Sequence, residues 1–123
     1  MSRLLLAIVL AAATLPAAAK SPGVQTGNAA LSAIYVNWAC ATVLGDGETR
    51  ANRQRIGDQI ARIFGRDEAP KIIAEVEAEF TANGRRRMQP DRSTTWAAIR
   101  VACREQISAV LRDLEEARPR TGR

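Results

Sequence analysis

Residues 96–114 read WAAIRVACREQISAVLRDL, and their spacing decides the fold. Trp96, Ile99, Cys103, Ile107, Val110 and Leu114 recur at intervals of 3, 4, 4, 3 and 4, with mostly small or charged residues between them. At about 100° per residue, such intervals return every apolar side chain to one side of an α-helix. Asp91 or Ser93 is placed to cap this helix. All six stripe residues, Trp96 included, are expected in the core.

Working back from that helix, Arg85 to Pro90 reads as a basic connector. The segment before it carries a second stripe, Ile72, Ile73, Val76 and Phe80. Asp67 or Ala69 starts it, Pro70 is tolerated in the first turn, and Asn83-Gly84 ends it. Another helix is expected from near Thr49 to Phe64, with Ile56, Ile60, Ile63 and Phe64 inward and Gly65 as its stop. Asp58 and Arg62 stand at i, i+4 on it. The first helix is expected from Asn28 to about Leu44, before Gly45-Asp46-Gly47. It is apolar on two sides: Leu31, Ile34, Tyr35 and Trp38 on one, and Ala29, Ala33, Val36, Cys40, Val43 and Leu44 on the other. Such a helix must be covered on both sides, as the centre of a bundle or as half of an interface. No period-2 alternation persists anywhere. The expectation is an all-α chain folded as a small four-helix bundle.

Cys40 and Cys103 are the only cysteines, and both fall on apolar faces. A disulfide between them would join the first helix to the last. Closing a loop of 63 residues is worth roughly 4 kcal/mol in the chain-entropy model. A redox role would favour a C-x-x-C pair, and a metal site would lack soft partner ligands.

The compartment is read from the N-terminus. Arg3, the uncharged run Leu4–Leu15, Pro16 and Ala17-Ala18-Ala19 have the layout of a cleaved export signal over residues 1–19. The run is shorter than the about 20 apolar residues a membrane span needs, and no transmembrane segment is expected after its removal. Of the 123 residues, 104 would remain from Lys20 on, enough for one small domain. Residues 20–27 read as a flexible leader, 28–117 as the helical domain and 118–123 as a basic tail. Sixteen of the 18 basic residues are arginine, and alanine is abundant. This bias points to a GC-rich bacterial genome, and so to a periplasmic or secreted protein.

Composition removes much chemistry. The chain has no histidine, which excludes Ser-His-Asp and Cys-His nucleophile systems and His-containing metal sites. Glu75, Glu77 and Glu79 do not converge as an acid–base pair, and no strand precedes Gly45-Asp46-Gly47 to make a phosphate loop. Neither an enzyme nor a cofactor is expected. Charge is laid out in blocks: net +4 over residues 50–66, −4 over 67–79, +5 over 85–104 and −3 over 105–116. Acidic and basic helical faces lying side by side would account for that layout.

Two functions fit these features. One is a small exported interaction protein, such as an inhibitor or immunity-type protein, an adaptor or a stress chaperone. It would bind another protein through Leu31, Ile34, Tyr35 and Trp38, because amphipathic aromatics are enriched at interfaces. Covered from within the domain, the same face would be core. The alternative is an anion-binding envelope protein using Arg85, Arg86, Arg87 and Arg92, whose guanidinium groups suit phosphate or carboxylate. Nucleic acid is not an expected partner. Without histidine, charge hardly changes between about pH 5 and 8, so any acid trigger would act below that range.

Overall fold

The computed structural model describes residues 22–117, all of whose regular elements are helical. The helices are α1 Pro22–Ala39, α2 Ala41–Leu44, α3 Asp46–Phe64, α4 Glu68–Ala82 and α5 Trp96–Ala117. The expected export signal of residues 1–19 and the expected basic tail of residues 118–123 lie outside the described residues. Pro22 opens α1 where the sequence pattern points to a leader. Proline suits a first helical turn because the amide it lacks would have no helical partner there.

The expected first helix is interrupted at Cys40, and the connector after α4 explains why. The backbone N–H of Met88 donates to the carbonyl of Ala39 at 2.7 Å, and Arg87 Nη1 donates to the carbonyl of Trp38 at 3.4 Å. In an unbroken helix the Trp38 and Ala39 carbonyls would accept from Thr42 and Val43. The Val43 N–H turns instead to the carbonyl of Cys40, three residues back, at 3.1 Å. Gly45, at φ 87°, then makes the left-handed turn into α3 that a side chain would resist. Gly65, at φ 101°, does the same after α3.

Helix α1 is the centre of the bundle. It packs against α3, α4 and α5, whereas α4 and α5 do not touch each other. Two triangles of helices, α1–α3–α4 and α1–α3–α5, therefore share the α1–α3 edge. Ile34, Ile56, Ile60 and Leu114 are the largest apolar side chains with almost no solvent contact. They form one core with Ala33, Ile73, Ile107 and Leu111. A second cluster joins Val43 and Ile99 to the disulfide between Cys40 and Cys103, whose Cα atoms are 5.9 Å apart. The first and last helical segments are thus stapled, as the cysteine positions imply.

The α5 stripe needs two corrections. Leu111 is buried and Val110 only partly so, because the core runs as Ile99, Cys103, Ile107, Leu111 and Leu114. Trp96 is 48% exposed. It lies in the opening turn, and helical side chains lean toward the N-terminus. Its ring therefore reaches one turn beyond Ile99, where the Cys40–Val43 cluster ends. The cap is Thr95, whose Oγ1 accepts from the N–H of Ala98 at 3.1 Å. Asp91 closes a separate turn instead, accepting from the N–H of Ser93 at 2.8 Å and its hydroxyl at 2.7 Å. Those bonds, with the Thr94 hydroxyl, hold the Asp91 carboxyl below its ordinary pKa. On α3, Phe64 at the C-terminus is half exposed and does not point into the core as its stripe implies.

Candidate functional site

The two residue groups singled out for binding are brought together, and most of the α1 group is consumed in packing. On α1, Ile34 is 2% exposed and Trp38 6%, Tyr35 is partly buried, and only Leu31 projects into solvent. The cover comes from within the domain. Phe80 of α4 meets the Tyr35 ring edge-on at 5.1 Å between centroids and the Trp38 ring at 5.4 Å. Burial of Ile34 and Trp38 removes them from any exposed partner face.

The arginine connector lies over the same rings. The Arg85 guanidinium stands 5.4 Å from the Tyr35 centroid and that of Arg87 4.6 Å from the Trp38 centroid. Cations over aromatic faces are attracted by the ring quadrupole. With its bond to the Trp38 carbonyl, Arg87 acts as a latch on α1. Arg86 and Arg92 are exposed and make no ion pair among the described residues. All four arginines are exposed; Arg85 and Arg87 also contact rings of α1, and Arg86 and Arg92 do not.

Two bidentate ion pairs join helices, and one of them, Arg53–Glu77, links two of the charge blocks. Arg53 of α3 donates to Glu77 of α4 through Nε at 3.1 Å to Oε2 and through Nη2 at 2.9 Å to Oε1. Arg104 of α5 grips Glu48 at the start of α3 through Nε and Nη2, both at 2.9 Å. The fork geometry of guanidinium suits a carboxylate in this way. Hydrogen bonds from Arg104 hold the Glu48 carboxyl below its ordinary pKa, and the bond to Glu77 raises that of Arg53. Asp58 and Arg62 do not pair within 4 Å. Between α1 and α3, buried Asn37 donates through Nδ2 to the Thr49 carbonyl at 3.2 Å, while its Oδ1 has no partner.

The surface holds a groove that the sequence reading missed. A cavity of about 310 Å³ runs between α3 and α4. Gly57, Ala61, Ala69, Pro70 and Ile73 are its apolar lining, and Arg50, Arg53, Arg66, Gln54 and Asp58 its polar lining. A second cavity of about 420 Å³, lined by Asp58, Ala61, Arg62 and Arg66, continues it. The available signal was Gly57 followed at i+4 by Ala61, two small residues on one face of an otherwise arginine-rich helix. A third cavity of about 320 Å³ lies beside Trp38, between Glu77 and Arg87. Glu77 there is already engaged by Arg53 and Arg87 by the Trp38 ring. No group of three or more potential metal ligands occurs among the described residues, and no described helix is long and apolar enough to cross a membrane.

The chain matches no family model, no curated protein and no solved structure.

Proposed function

We propose that this chain is a small exported helical protein that works by binding a partner in an oxidising compartment, without catalysis. The observation that carries the reading is the Cys40–Cys103 bond, buried between the first and last helical segments. Disulfides persist in secreted and periplasmic proteins and are rare where thiols are kept reduced. The export-signal layout of residues 1–19 supports the same compartment. Another protein is one class of partner, and Leu31, Trp96 and Val101 are large apolar side chains left about half exposed.

A second class, an anionic envelope component, is favoured by Arg50, Arg62 and Arg66. All three are exposed beside the α3–α4 groove and free of ion pairs among the described residues. Arg86 and Arg92 of the Arg85–Arg92 segment are exposed and free of ion pairs in the same way.

Expression of the full chain in a bacterial host, followed by fractionation and intact-mass measurement, tests the reading. The expected product is periplasmic, begins at Lys20 and takes up no alkylating reagent before reduction. A cytoplasmic product with two free thiols would end it. Partner capture across a salt series separates the two classes, because screening weakens an anionic contact and spares an apolar one.

A further inference from the structure

Gly57 lies in the middle of the 19-residue helix α3, where glycine weakens a helix relative to alanine. Packing does not demand it. A Cβ built at this position meets only Ile73 Cδ1, at 3.6 Å, an ordinary contact. What the missing side chain does is leave the floor of the α3–α4 groove open. The volume of about 310 Å³ is at the lower end of the range for small-molecule sites. At one end of that floor Arg62 and Arg66 line the adjoining cavity, and Asp58, one helical turn before Arg62, lines both cavities. Two guanidinium groups and one carboxylate leave a surplus of one positive charge there. At the other end Arg53 is already neutralised by Glu77, and the aliphatic stem of Arg50 can lie along apolar surface.

We propose that the groove binds a free single-chain amphiphile with a singly charged anionic head, of the long-chain carboxylate class. The carboxylate is taken by the exposed guanidinium groups of Arg62 and Arg66, the same group that grips a carboxylate bidentately in Arg53–Glu77 and Arg104–Glu48. The alkyl chain lies along Gly57, Ala61, Ala69 and Ile73. This inference rests on the reading of the chain as a binding protein, and it adds the site and the ligand chemistry.

The test is calorimetric titration of the oxidised protein, purified after expression of the full chain, with laurate below its micellar concentration. Acetate and dodecyltrimethylammonium serve as the head alone and as the tail with the opposite charge. Saturable 1:1 binding of laurate is expected, with at least tenfold weaker binding of both controls. Gly57→Leu fills the floor and is expected to abolish binding. The double substitution Arg62→Gln and Arg66→Gln is expected to weaken it about tenfold and to flatten its salt dependence. Melting curves verify that each variant is folded. Should Gly57→Leu fail to fold, the arginine pair, which is exposed, carries the test.

Acetate binding as tight as laurate would overturn the proposal by showing that the floor is unused. Equal binding of the cationic amphiphile, or laurate binding untouched by the arginine substitutions, would place the ligand elsewhere. Absence of saturable laurate binding would overturn the ligand class, while capture of a protein partner would leave the binding function standing. A cytoplasmic, thiol-containing product would instead remove the exported-protein reading and leave a measured laurate site in place.

Discussion

The two flanks of the α1–α3 pair are held by different means. On one flank α5 is joined covalently through Cys40–Cys103 and clamped by Arg104 on Glu48. On the other, α4 is held by Phe80 against Tyr35 and Trp38, by the Arg53–Glu77 pair and by the latch of Arg87 and Met88 on the end of α1. Both flanks use one bidentate ion pair, so the contrast is between a staple and a set of rings. The staple constrains the unfolded chain, whereas the rings act only in the folded one. Reduction and core substitution therefore probe different halves of the molecule.

The largest effect is expected from Trp38→Ala, which removes the ring shared by α1, α4 and the connector. Truncation of a buried aromatic costs about 3–5 kcal/mol, a large part of the 5–15 kcal/mol typical of a domain. A denaturant titration measures it, and a loss near zero would mean that the α4 flank does not depend on this ring. Reduction, or Cys40→Ser with Cys103→Ser, is expected to remove about 4 kcal/mol by the loop-closure model. Two further denaturation curves, with and without reductant, check that value.

The ion pairs come next. Both partners of Arg53–Glu77 are partly exposed, with side-chain accessibilities of 43% and 23%, so solvent screening limits the coupling to about 0.5–1 kcal/mol. A double-mutant cycle on Arg53→Ala and Glu77→Ala reads it directly. The Glu48 clamp has a pH signature. Because its carboxyl is held below the ordinary value, it adds stability at pH values above the unfolded carboxylate pKa. That stability is lost as pH falls through the lowered folded value. The melting-temperature difference between wild type and Arg104→Ala should be constant near neutrality and close in strong acid. A difference that persists there would assign the effect of Arg104 to packing.

Trp96→Ala is the smallest, within about 0.5 kcal/mol, as for surface positions in general. A loss of several kcal/mol would show the ring to be buried in solution.

How much of this could be read in the sequence differs between the flanks. On the α5 side, the stripe and two apolar-face cysteines were enough to place the staple, since local periodicity fixes which side chains share a face. Periodicity does not say where a partner helix ends, and for that reason Trp96 reads as core and is exposed. On the α4 side, Ile72, Ile73, Val76 and Phe80 were legible as a stripe. Phe80 of that stripe covers Tyr35 and Trp38, but the connector's share of the cover was not legible, because it returns across more than forty residues. The same contact explains the break at Cys40, which no property of residues 36–44 announces. The alternating charge blocks announced that acidic and basic faces adjoin, and Arg53–Glu77 is where they do. The groove is a property of two helices at once, so Gly57 reads in sequence only as a weak point in α3.

The contrast between flanks is tested most directly by hydrogen exchange, followed by mass spectrometry, on the oxidised and reduced protein under native conditions. On reduction, amides of α2 and α5 are expected to lose protection well beyond those of α4, which the rings still hold against α1 and α3. Equal loss of protection in α4 and α5 would contradict the account, because the two flanks would then be a single unit held by the one bond.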